Sequence, residues 1–140
     1  MKKYMLLFIL AVSAVVYAED KDQTLVIVAE DVGGSTCISS ISLQGHDNCK
    51  EADGKRGACD GIEDCVCSKP DKHIEWSSAD ISSYTVYFYD GSPFSDNCSL
   101  DSNSQGKLKC RIKGDTSAGN YDYGIKVAGC EDYDPRIVIK

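Results

Sequence analysis

Residues 59–76 read CDGIEDCVCSKPDKHIEW and crowd Cys59, Cys65 and Cys67 together with Asp60, Glu63, Asp64, His73 and Trp76. Residues of these types could hold a metal ion, make a reactive thiol centre, or staple a loop that runs into a strand. Zinc ligands come in pairs about two to four residues apart, joined by a second pair or by histidines. Cys65-Val66-Cys67 has one residue between its sulfurs, and no second cysteine pair or His-x-His unit completes a set of four. A thiol nucleophile needs an unpaired cysteine beside a histidine. The chain has eight cysteines, Cys37, Cys49, Cys59, Cys65, Cys67, Cys98, Cys110 and Cys130, an even number in a short sequence. That pattern reads as four disulfides and no free thiol. Two residues apart in a strand, Cys65 and Cys67 share a face and take different partners. Cys49–Cys59 and Cys98–Cys110 each close a short polar loop and are the expected local pairs.

Carboxylates are abundant enough to raise calcium. The EF-hand spacing is not met: the run DSNSQG from Asp101 reaches Ile112 where the closing glutamate belongs, and EADG would need a ligand at Cys49. An irregular loop around Asp60, Glu63 and Asp64 stays open, against the plainer reading of solvated charge. Asn97-Cys98-Ser99 matches the glycosylation pattern, which matters only in a eukaryotic secretory route. No G-x-S-x-G elbow occurs. Whether two acids stand at the separation needed for glycoside hydrolysis is a property of the fold, not of the sequence.

The compartment follows from residues 1–18. Lys2 and Lys3 precede the apolar run YMLLFILAVSAVV, small residues lead to Ala18, and EDKDQ follows. This is the pattern of a secretory signal peptide cleaved near Ala18. The apolar run is shorter than the ~20 residues that a bilayer requires. No cysteine stands beside the cleavage point, and no later segment is apolar enough to span a membrane. The expected product is soluble, secreted or periplasmic, and covers residues 19–140, enough for one domain. Losing Lys2 and Lys3 takes the 15 basic residues to 13 against 22 acidic ones, a net charge of −9. Nucleic-acid binding and anionic membrane surfaces are thereby disfavoured, and cationic partners are favoured.

Short strands and turns must position these residues. TLVIVAED (24–31), CISSISLQ (37–44), CVCSKPDKHIEW with a turn at KPDK, YTVYFYD (84–90), KLKCRIK (107–113), YDYGIKVAG (121–129) and RIVIK (136–140) are strand-like. Residues 45–64 are polar and Gly-rich, a long loop with room for one helical turn, and the whole cysteine-rich loop runs over 45–67. About seven strands at regular spacing predict an all-β, antiparallel Greek-key sandwich stapled by disulfides. Alternation puts Val86 and Phe88 inside, with Thr85, Tyr87 and Tyr89 outside. It groups Tyr121, Tyr123, Ile125 and Val127 on one face, with Asp122 and Lys126 turned away. Trp76, Val86, Phe88, Tyr121, Tyr123, Ile125 and Ile137 are the expected buried core, with Ile74 beside Trp76. AGNYDYGIKV resembles a tyrosine corner, in which a Tyr early in a late strand bonds back to upstream backbone.

DKHIEW, YTVYFYDGSPF, AGNYDYGIKVAG and DPRIVIK, spread over residues 70–140, resemble small exported bacterial proteins with a cupredoxin-like or immunoglobulin-like sandwich. The resemblance implies the fold and no activity. A blue-copper site would need two His, a Cys and usually a Met. The only methionines, Met1 and Met5, lie in the leader, and EDYDPR after Cys130 has no histidine. His46 and His73 read as loop or turn residues, so no cofactor is expected. The resulting expectation is a non-catalytic binding module for a cationic secreted or envelope protein. It would engage that partner through Tyr87, Tyr89 and the acidic loop residues Asp60, Glu63 and Asp64. An inhibitor or immunity protein against a secreted hydrolase, and a small carbohydrate-active or metal-dependent enzyme, are the alternatives.

Overall fold

In a computed structural model, residues 19–140 are described; the expected leader over 1–18 lies outside them. Eight strands form: β1 (Gln23–Val32), β2 (Ser35–Gln44), β3 (Cys65–Ser68), β4 (His73–Ser77), β5 (Thr85–Phe88), β6 (Lys107–Arg111), β7 (Gly119–Lys126) and β8 (Arg136–Ile139). The helical turn in the loop is a 3-10 turn over Gly57–Cys59. Two four-stranded sheets result, ordered β2-β1-β4-β6 and β3-β8-β7-β5. They are mixed rather than antiparallel, because β1 runs parallel to β4 and β3 parallel to β8. Between β3 and β4 lies the Lys69–Lys72 turn, where Asp71 takes a left-handed φ of 70°. The turn passes the chain from one sheet to the other instead of closing a hairpin, so β3 and β4 pair with β8 and β1 rather than with each other.

Side chains from both sheets fill one core, among them Leu25, Ile27, Val66, Ile74, Val86, Leu108, Ile125 and Ile137. Trp76 sits at its centre. Its indole N–H donates to the Tyr123 hydroxyl at 3.1 Å, and its ring meets Phe94 and Tyr123 edge-on at 5.7 and 5.6 Å. Trp76, Val86, Tyr123, Ile125 and Ile137 are buried as expected. Phe88 and Tyr121 are only half-buried at the margin of the same core. The Tyr121 hydroxyl donates to the Ser117 carbonyl at 2.8 Å, the upstream backbone bond expected of this residue.

Two local features adjust the alternation. Gly33 and Gly34, both with positive φ, make the tight turn between β1 and β2. A bulge beside Val28 and Ala29 then shifts the register. Ser39 is the extra residue, so Ile38 pairs with Ala29 and packs on the core with Ile41 and Leu43.

The cysteines form four disulfides, Cys37–Cys130, Cys49–Cys67, Cys59–Cys65 and Cys98–Cys110. Cys65 and Cys67 do take different partners, and Cys98–Cys110 forms as expected. The Cys49–Cys59 pairing is corrected: the turn at Gly57–Cys59 returns Cys59 to the nearer Cys65, leaving Cys49 for Cys67. With Val138 and half-buried Ile62, these four half-cystines build a second small core. Fully covered cystine here supplies the packing that the polar loop lacks in aliphatic residues.

Candidate partner-binding surface

Strand β5 pairs with β7, setting Tyr87 opposite Gly124 and Val86 opposite Ile125. Val86 is buried, while Thr85 and Tyr89 are exposed and Tyr87 half-exposed, as alternation predicts. A glycine inside a strand weakens it and offers nothing to pack, unless another group needs the space. Here Tyr87 needs it: a Cβ on residue 124 would collide with Cε1, Cζ and the hydroxyl of Tyr87. Lying across Gly124, Tyr87 donates its hydroxyl to Asp132 Oδ2 at 2.6 Å. The Lys126 ammonium stands 5.0 Å from its ring centroid, within cation–π range. Tyr89 meets Tyr87 edge-on at 5.4 Å and donates to Asp134 Oδ1. With 52% of its surface exposed, Tyr89 is one of the few large hydrophobic residues open to solvent among the described residues.

The segment Asp132-Tyr133-Asp134 joins the two halves of the expected surface. Tyr133 bridges Ile125 through N–H···O bonds of 3.1 and 2.8 Å in the two directions. Its neighbours Asp132 and Asp134 therefore fall on the opposite side, over the tyrosines. Tyr133 itself donates to Asp64 Oδ2, and Asp64 Oδ1 accepts the Ile41 N–H at 3.1 Å. Asp64 is thus half-buried, with a left-handed φ of 51°, and its carboxylate fixes the loop to β2 and to Tyr133. Asp60 and Glu63 remain exposed. Asp132, Asp134 and Gly124 were missed as site residues. The usable signal was the alternation in EDYD, which in extended chain sets both aspartates on one face.

The electrostatics follow from these bonds. The carboxylate of Asp132, chiefly, holds the Tyr87 phenol above its ordinary range, and Asp134 does the same for Tyr89. Burial first and the Asp64 bond second raise Tyr133. These phenols stay neutral donors at physiological pH, so the surface is aromatic with its negative charge on the aspartates.

A pocket of about 260 Å³ is lined by Leu25, Ile41, Leu43, Asp47, Arg56, Asp64 and Cys65. Arg56 donates to Asp47 at 2.8 Å and to the Cys65 carbonyl at 2.7 Å. Burial pushes Asp47 up, but the Arg56 and Cys49 N–H bonds outweigh it and hold the carboxyl below its usual range. Both acids of the pocket are therefore engaged. Cys49, Cys59 and Cys67 bring their sulfurs within 4.8 Å of one another, yet all three are cystine and offer no thiolate. His73 donates its backbone N–H to Asp22 at 2.8 Å, and His46 is exposed.

No protein-family model matches the chain, and no curated protein matches it. Among the described residues no helix is long and apolar enough to cross a membrane.

Proposed function

We propose that the chain is an exported, non-catalytic module that binds a cationic protein through Tyr87, Tyr89, Asp132 and Asp134, flanked by Asp60 and Glu63. The observation that carries this reading is the seating of Tyr87 over Gly124, with both phenols bonded to outward aspartates. Tyrosine suits protein interfaces because its ring packs at low entropy cost while its edge stays polar. Here the ring positions are fixed in advance, which lowers the ordering cost of binding. The aspartates and the net charge of −9 expected after leader removal steer basic proteins toward this face. Many secreted hydrolases are basic, so an inhibitor or immunity role is the narrower form of the same reading. In the 260 Å³ pocket the two acids are tied to Arg56, Tyr133 and Ile41, which gives them a structural role.

The same reading takes the two facing sheets as a Greek-key sandwich of cupredoxin-like or immunoglobulin-like type, with the Tyr121–Ser117 bond in support. It places the protein outside the cytoplasm or in the periplasm after cleavage near Ala18. Four disulfides fit an oxidising compartment. Affinity capture from secreted and envelope fractions tests the reading. Basic proteins should be retained at about 0.1 M salt and released at about 1 M, where the Debye length falls to ~3 Å. Tyr87→Ala should retain far less. Retention that ignores both salt and Tyr87→Ala would overturn it.

A further inference from the structure

The outer face of the other sheet has the opposite character. Along β6, Leu108 and Cys110 are buried, while Lys107, Lys109 and Arg111 are exposed. Arg111 is paired with Asp71 at 2.5 Å. Among the described residues, neither Lys107 nor Lys109 has an ion-pair partner. Pairing across β4 sets Lys107 beside Ser77 and Lys109 beside Glu75, and β1 continues the same rows with Val26 and Thr24. Val28, next along that face of β1, is 41% exposed. A protein with a strong excess of acid thus carries a cationic edge with an apolar shoulder on the sheet face opposite its tyrosines.

We infer that the partner of the Tyr87–Tyr89 surface is a second copy of this chain, presenting the Lys107–Lys109 face of its β6. The inference rests on the docking reading above, with a local basic patch on an otherwise acidic copy in the place of a foreign cationic protein. Charge complementarity supports it: Lys107 and Lys109 lie on one face of β6, and Asp132 and Asp134 flank the isolated Tyr133–Ile125 bridge, all four exposed. The two lysines rise from β6 roughly 7 Å apart, and their long side chains can converge on the two carboxylates, which meet phenol hydroxyls 3.3 Å apart. The two surfaces lie on the outer faces of opposite sheets, so the contact is head-to-tail and leaves each copy in it with one face free. Copies add in a row, and long-range repulsion between acidic copies keeps each contact weak.

Sedimentation velocity on the mature protein at about 0.15 M salt, where charge is screened beyond ~8 Å, decides the matter with two variants. Lys107→Glu/Lys109→Glu destroys the basic face alone, and Asp132→Asn/Asp134→Asn the acidic face alone. All four positions are exposed, and circular dichroism checks that each variant folds. The parent should associate with rising concentration into a ladder of species. Each variant alone should self-associate about tenfold or more weakly. An equimolar mixture should form a 1:1 dimer that grows no further, since each variant retains one complementary face. A parent that stays monomeric, or a mixture that does not dimerise, overturns the inference. If Asp132→Asn/Asp134→Asn meanwhile loses capture of foreign basic proteins, the docking reading stands and only the second copy falls.

Discussion

At Gly124 a missing side chain decides where a ring goes. Gly124→Ala should force Tyr87 off β7 and away from Asp132, because the new Cβ occupies the ring's place. The Tyr87 phenol should then titrate nearer the ordinary tyrosine range, which ring-carbon NMR of labelled tyrosine can follow, and capture of basic proteins should fall as for Tyr87→Ala. An unchanged Tyr87 resonance would show that Gly124 has no such role. In the core, Tyr123→Phe removes the acceptor of the Trp76 N–H. Leaving that buried donor unpaired should cost about 1–3 kcal/mol in denaturant unfolding, against about 3–5 kcal/mol for the cavity left by Trp76→Ala. The outward direction of Tyr87 and Tyr89 was legible, since a period of two fixes faces. The seat on Gly124 was not, because it depends on which strand lies alongside.

At the scale of elements, the strand-like segments covered the eight strands, CVCSKPDKHIEW holding two of them, but could not choose neighbours, and the antiparallel expectation failed there. A turn such as Lys69–Lys72 can close a hairpin or hand the chain to another sheet, and both choices satisfy the same pattern. The cysteines repeat the lesson. That Cys65 and Cys67 share a face and part company was readable from their spacing, whereas the choice between Cys49 and Cys59 as partners depended on how the loop returns. Partial reduction followed by alkylation and peptide mapping should yield Cys49–Cys67 and Cys59–Cys65; recovery of Cys49–Cys59 would contradict the loop path. Cys37–Cys130 ties β2 to the turn before β8 across 93 residues of sequence. Replacing both with Ala should cost about 2–5 kcal/mol and speed amide exchange in the β1–β2 tip and the 127–131 turn first.

Over the whole molecule, charge and titration set where the fold is stable. Burial raises Tyr84 and Tyr123, as it does Tyr133. A phenol whose folded pKa is raised holds its proton longer folded than unfolded. Its contribution is complete below about pH 10, the unfolded value, and is lost as pH rises past it. Unfolding should therefore be promoted by alkali above that point, with phenolate absorbance appearing together with loss of near-ultraviolet dichroism. Asp47 acts in the other direction: its lowered pKa contributes above the ordinary carboxylate range and is lost as pH falls through it. The acidic excess was plain in composition, but its concentration over two tyrosines was not, since Asp132 and Asp134 reach that surface only through the pairing of Tyr133 with Ile125. Comparing capture by the parent and by Asp132→Asn/Asp134→Asn, from the same secreted and envelope fractions at about 0.1 M salt, tests the docking surface most directly. Basic proteins should be retained by the parent and lost by the variant; equal retention by both would contradict the account.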